Sequence, residues 1–132
     1  YGLRGECPLK VLETVGGYDI AGLAGLCIGG GLYHIPVVLD GVISMTAAVL
    51  AKRMFPETVH YLIPSHKGKE PAVSALEAEL GLAPVIHADM ALGEGTGAVM
   101  MMGLLDLALT IYSKRTTFGD IQVEPYERYC GR

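Results

Sequence analysis

The chain has 132 residues, 51% of them hydrophobic, and a formal net charge of −4. That is the length of one domain with enough apolar side chain to build a core. The mild acidity, with no basic run, excludes nucleic acid and anionic membranes as favoured partners. The 18 glycines and the absence of tryptophan point to close backbone packing and ligand-hugging loops, because the apolar content is too high for disorder. Cys7, Cys27 and Cys130 lie far apart, with no CxxC or Cys/His spacing. Neither a metal site nor a disulfide framework is signalled, and the thiols read as free in a reducing cytoplasm. No cofactor is implied. The opening residues, YGLRGECPLK, show neither a signal peptide nor an initiator Met, so the chain reads as a fragment or a processed product.

In chain order, Pro8 starts a helix with Leu9, Leu12 and Val15 at helical spacing, and Gly16-Gly17 stop it. Asp19 is placed to cap a second helix that carries Ile20, Leu23, Ala24 and Cys27 on one face and ends at Gly29-Gly30-Gly31. Together these cover residues 8–29. Pro36 opens a buried parallel strand, Val37–Leu39, and Asp40-Gly41 makes a sharp turn. Residues 43–54 read as a helix that Ser44 can cap. A second strand is predicted near 59–63, a polar loop over 64–70, and a helix from Glu70-Pro71 to Gly81. A third short strand near 85–88 and a loop lead into a final helix over about 97–113. The apolar run of that helix is broken by Asp106 and falls short of the roughly 20 residues a bilayer needs, so it reads as buried. The tail, 114–132, has no strong period and is peripheral.

This αα-βα-βα-βα order predicts an α/β fold. The sheet would be Rossmann-like, parallel and three-layered with its flanking helices, and would form the C-terminal part of a larger domain. No repeat or linker marks a boundary within residues 1–132. Ligands bind such sheets beyond the carboxyl ends of the strands. Three loops lie there, Asp40–Val42, Pro64–Glu70 and Ala91–Gly97.

The last loop holds LGEGTG, a single carboxylate, Glu94, among three glycines, Gly93, Gly95 and Gly97. As a phosphate cradle it fails: the spacing is GxGxG, no Lys-Ser/Thr follows, and the acid would repel the phosphate. It also reads as an acid in the first turn of a helix, stabilised by the dipole by roughly 0.3–1 kcal/mol. A third reading is a general base. Glycines would let a substrate approach, and Leu92 with Met100–Met102 would dry the carboxylate and strengthen it as a proton acceptor. The methionine run reads as core. His66 is either a solvated loop residue or, with Ser65, Lys67 and Lys69, part of a donor set for phosphate or carboxylate. Asp40 either orients a sugar hydroxyl or caps the helix that follows it. His34, His60 and His87 have no mutual metal spacing and read as structural.

The blocks GGYDIAGLAG, IPVVLDGVISMTAAVLA, YLIPSH and ALGEGTGAVMM occur in that order. Together they resemble the C-terminal part of the nicotinate-nucleotide–dimethylbenzimidazole phosphoribosyltransferase family, over about Cys7 to Phe118. The pairing of D-G-x-I-S with a late L-G-E-G-[ST]-G carries the likeness. The resemblance implies a homodimer with a Rossmann-like domain and a smaller helical one. It also implies transfer of phosphoribosyl from nicotinate mononucleotide to 5,6-dimethylbenzimidazole, or a related base, in cobalamin assembly. In this chain it assigns the general base to Glu94 and places Leu92 against the base. Gly93, Gly95, Asp40, Gly41, Ser44, Ser65, His66 and Gly68 complete the candidate substrate-binding set. Two departures stand out. The family's S-H-x-S-x-E is here Ser65-His66-Lys67-Gly68-Lys69-Glu70, with Gly68 for the second serine. The family's N-terminal half is also absent, so the site would need that half or a partner chain. The alternative is a truncated, non-catalytic nucleotide-binding or assembly module. A dinucleotide-binding oxidoreductase is disfavoured, because no GxGxxG follows the first strand.

Overall fold

In the computed structural model, residues 2–3, 5–91, 93–114 and 116–124 are described. Two helices open the chain, α1 (Pro8–Val15) and α2 (Tyr18–Tyr33). Strand β1 (Val37–Leu39) follows, then α3 (Val42–Met54), a 3-10 helix (Pro56–Tyr61) and β2 (Leu62–Pro64). Helices α4 (Val73–Leu80) and α5 (Thr96–Lys114) complete the order. The chain divides into two compact units, Tyr1–Met102 and Gly103–Arg132.

The expected three-layer, Rossmann-like parallel sheet is not what forms. The described residues are mainly helical, and the sheet has two strands, β1 and β2, paired in parallel with Val37 opposite Leu62 and Leu39 opposite Pro64. The segment expected as a third strand joins them at a single bridge, His66 to Ile86, through Lys67 N–H to Ile86 O (2.9 Å) and Ile86 N–H to Ser65 O (3.0 Å). Pro84 has no N–H to donate, and Asp89 turns the backbone out of extended geometry at φ 51°. Pairing cannot propagate in either direction. The strand expected over 59–63 is displaced as well, because Pro56 starts a 3-10 turn that runs to Tyr61.

The glycine triplet does not stop α2. Gly30 and Gly31 lie inside the helix because a Cβ on Gly30 would meet Val37 and the Ile35 carbonyl, and one on Gly31 would press on Thr58. They are close-approach positions. The helix ends instead at His34, in the left-handed region at φ 58°, whose ring stacks on Tyr61 at 5.3 Å.

Helix α3 is the centre of the larger unit. Its Met45, Ala48, Val49 and Ala51 join Cys27, Leu39, Leu62, Val73 and Leu80 in one core cluster. Its Ala47 and Leu50 meet Ala24 of α2 in a second cluster. Alanines at the contact let the helices approach closely, and each fully buried leucine contributes roughly 1.5–3 kcal/mol. Burial pushes the Cys27 thiol up to about 11. Gly81, at φ 71°, ends α4 in agreement with the sequence signal. Lys52 Nζ then donates to the terminal carbonyls of Glu79 (2.7 Å) and Leu80 (3.0 Å). Arg53 pairs with Glu79 at 2.9 Å and holds that carboxyl below its ordinary range.

Helix α5 departs from expectation too. Of its residues, Gly97 and Met101 are buried, whereas Met100 and Met102 are about half exposed (47% and 51%). The helix is not the buried core element that its composition implied. With 19 residues and a mean hydropathy of 1.4 it has the length and composition of a membrane span. Asp106 stands near its middle, where a charge costs a bilayer about 2.5–3.5 kcal/mol. In the smaller unit, Asp120 accepts from Thr117 N–H (2.7 Å) and Oγ1 (2.8 Å), which holds its carboxyl below the ordinary range.

Candidate active site

Both strands end at the same edge, because Leu39 and Pro64 are paired. Asp40 therefore emerges beside Ser65 and His66. Ser65 is fully buried, and its Oγ donates to the Asp40 carbonyl at 3.1 Å. With that hydrogen committed, the 3.1 Å contact between Ser65 Oγ and His66 Nδ1 has the imidazole as donor. Nδ1 thus carries a proton, and Nε2 has no partner among the described residues. The ring is 5% exposed and borders a cleft. Gly97 lies flat against it, and a Cβ there would collide with the imidazole.

Asp40 joins this edge to the glycine-rich loop. Its Oδ2 accepts from Gly95 N–H at 3.0 Å and its Oδ1 from Ala98 N–H at 3.1 Å. These amides open α5, and a carboxylate there also complements the helix dipole. Charge-assisted bonds of this kind contribute about 1.5–3 kcal/mol each. Asp40 does not cap the helix that follows it. At that helix, α3, the Ser44 hydroxyl accepts from Gly41 N–H (3.1 Å) and donates to Gly41 O (2.8 Å). Ser44 acts from inside the first turn, since α3 begins at Val42.

Glu94 sits at the tip of the turn at φ 61°, followed by Gly95 at φ 81°. A non-glycine residue in this region costs about 1–3 kcal/mol, a strain that concentrates at functional sites. The Glu94 side chain is exposed and borders the same cleft as His66. The drying wall expected from the methionines is not there, since none of Met100, Met101 and Met102 borders this cleft. Leu92, expected against a bound base, lies outside the described residues.

The cleft has a volume of about 320 Å³, the scale of a small-molecule site. Asp40, Gly41, Ser44, His66, Gly93 and Glu94 all border it, so the loops after β1 and β2 and the glycine-rich loop before α5 meet there. Gly95 stands behind, held by Asp40, and Ser65 lies beneath. Gly68 is not among the lining residues. It borders a second hollow with Lys67, Lys69, His87 and Asp89. Its missing side chain leaves room for the Glu70 carboxylate. Glu70 itself borders the main cleft, a place that sequence reasoning misses. The available signal is its position as the final acid of the strand-end motif. Asp40, Glu70 and Glu94 make the described lining acidic, with no lysine or arginine in it. His60 pairs with Glu57 at 3.4 Å and His87 Nε2 lies 3.2 Å from the Pro84 carbonyl, both apart from this lining. Among the described residues no three His, Cys, Asp or Glu side chains gather as metal ligands.

Comparison with known proteins places this arrangement in context. The sequence model of a phosphoribosyltransferase family matches residues 3–123. The nicotinate-nucleotide–dimethylbenzimidazole phosphoribosyltransferase of Clostridium acetobutylicum is 44% identical over 122 residues, covering 92% of this chain and 35% of that protein. The Acetivibrio thermocellus protein of the same name is 42% identical over 120 residues, 91% of this chain and 34% of its own length. The crystal structure of the Thermus thermophilus phosphoribosyltransferase of that name superposes with a TM-score of 0.84 at 38% identity, over 92% of this chain and 37% of that one. The chain thus spans about a third of the length of the curated relatives it matches. On the family match across nearly its whole length, the chain belongs to this phosphoribosyltransferase family.

Proposed function

We propose that the protein transfers the phosphoribosyl group of nicotinate mononucleotide to 5,6-dimethylbenzimidazole or a related base. The products are α-ribazole 5′-phosphate and nicotinate, and the step belongs to cobalamin nucleotide-loop assembly in the cytoplasm. Glu94 is the general base. The observation that carries this reading is an exposed carboxylate, on a strained turn, at the rim of the cleft where both strands end, in a chain of this family.

In the reaction, one ring nitrogen of the base attacks the anomeric carbon with its lone pair. The bond from that carbon to the nicotinate nitrogen breaks, and its electron pair neutralises the pyridinium. Attack from the opposite face inverts the carbon. The proton on the other ring nitrogen passes to the Glu94 carboxylate, which makes the base a better nucleophile. Acidic lining from Glu70 and Glu94 favours the pyridinium of the donor and the positive charge that grows on the acceptor. Gly93 and Gly95 leave the carboxylate unobstructed on either side. Gly41, Ser44 and His66 border the space for the ribose, with Ser65 setting the orientation of the imidazole. The phosphate suits the neighbouring hollow, where Lys67, Lys69 and the Gly68 backbone supply donors. A further segment of the protein or a partner chain covers the cleft, and the working assembly is a homodimer.

Nicotinate release from nicotinate mononucleotide and dimethylbenzimidazole by the full-length protein tests this reading. Glu94→Gln is expected to lower release by a factor on the order of 10²–10⁴, with an unchanged melting curve. Wild-type release from the variant would remove Glu94 from the mechanism. No release from the wild-type protein would leave the non-catalytic module.

A further inference from the structure

We infer that Asp40 is a positioning residue for Glu94, acting through the backbone of the turn and not through the substrate; this rests on the reading of Glu94 as the base. Three observations carry the inference. Both Asp40 carboxylate oxygens are engaged, one by Gly95 N–H and the other by Ala98 N–H, at 3.0 and 3.1 Å. Gly95 N–H immediately follows Glu94 and Ala98 N–H lies in the first turn of α5, and Gly95 has no side chain with which to cap the helix itself. Glu94 holds φ 61°, which a non-glycine residue keeps only when its surroundings over-determine it. Within the turn, the bond of Thr96 N–H to Gly93 O is long, at 3.3 Å. The firm anchor is therefore a residue 55 positions earlier in the chain, fixed at the end of β1. Thr96 Oγ1 adds a bond to Gly93 O at 2.9 Å, which steadies the near side of the turn but does not tie it to the sheet. Among the described residues Asp40 supplies the hydrogen-bonded tie, beside the packing of Gly97 on the His66 ring, so its carboxylate helps to hold the base at the strand-end cleft.

A positioning residue and a substrate ligand leave different kinetic marks. Misplacing a catalytic group by about 1 Å costs on the order of 100-fold in rate. Asp40→Ala in the full-length protein is expected to lower kcat by roughly that factor while KM for nicotinate mononucleotide stays near wild type. Asp40→Asn keeps the volume and one acceptor oxygen but turns an NH₂ toward a backbone N–H. Its kcat is expected to fall about 10-fold, one bond being lost where Ala loses two. It also decides the matter if the alanine variant fails to fold. Amide hydrogen exchange at Gly95 and Ala98 should accelerate in both Asp40 variants and not in Glu94→Gln. In the Glu94→Gln background, Asp40→Asn should cost little more, because the two residues act as a unit. A raised KM with kcat retained, or an equal loss in both backgrounds, would overturn the inference. Wild-type turnover in the Asp40 variants with Glu94→Gln inactive would remove Asp40 alone. Wild-type turnover in Glu94→Gln would remove the functional reading and the role of Asp40 with it.

Discussion

Helices α3 and α5 look alike in sequence. Each follows a loop at the cleft, each starts beside a glycine, and each is rich in Ala, Val, Leu and Met. Their environments differ. Helix α3 buries Met45 and the whole of Ala47–Ala51, whereas α5, the longer of the two, buries Gly97 and Met101. The caps differ in the same sense: α3 is closed by Ser44 from within its own first turn, and α5 by Asp40 from a distant strand end. Hydrophobic composition says that a helix seeks burial, and the neighbours available decide whether it obtains it. The first turn of α5 is held by Asp40 at the edge of the cleft.

That contrast can be tested in both helices. Gly97→Ala should drive a Cβ into the His66 ring and destabilise the protein by about 1–3 kcal/mol in urea unfolding. A neutral result would mean that the ring moves aside freely and the site edge is soft. Ser44→Ala should cost about 1 kcal/mol, the ordinary value of a local helix cap, and lower the melting temperature with it. Gly103→Ala meets nothing within 4 Å and should act with opposite sign, stabilising by up to about 1 kcal/mol through helix propensity. If the two glycines of α5 responded alike, the distinction between the anchored turn and the remainder of the helix would fail.

Part of this is legible in the sequence. The start of α1 at Pro8, strand β1, the end of α4 at Gly81 and the turns after Leu39 and Pro64 can be read from local signals, because each is fixed by residues within one turn. The third strand cannot, since its failure comes from Pro84 and from the backbone reversal at Asp89 together. The glycine triplet in α2 reads as a stop, yet its glycines serve contacts to Val37 and Thr58 that no local pattern contains. Asp40 is legible as a polar residue at the end of a strand. Its two bonds to a loop 55 and 58 residues away are not, because periodicity carries no information about pairing at that range. Glu70 escapes notice because a loop acid is ordinarily solvated, and its place in the cleft follows from the turn that brings it beside Gly68.

A structure of the full-length protein with 5,6-dimethylbenzimidazole bound tests Glu94 as the base. The ring is expected in the cleft between the ends of β1 and β2, with its N–H about 2.6–3.2 Å from a Glu94 carboxylate oxygen. A ring bound elsewhere, with Glu94 still turned to solvent, would contradict it.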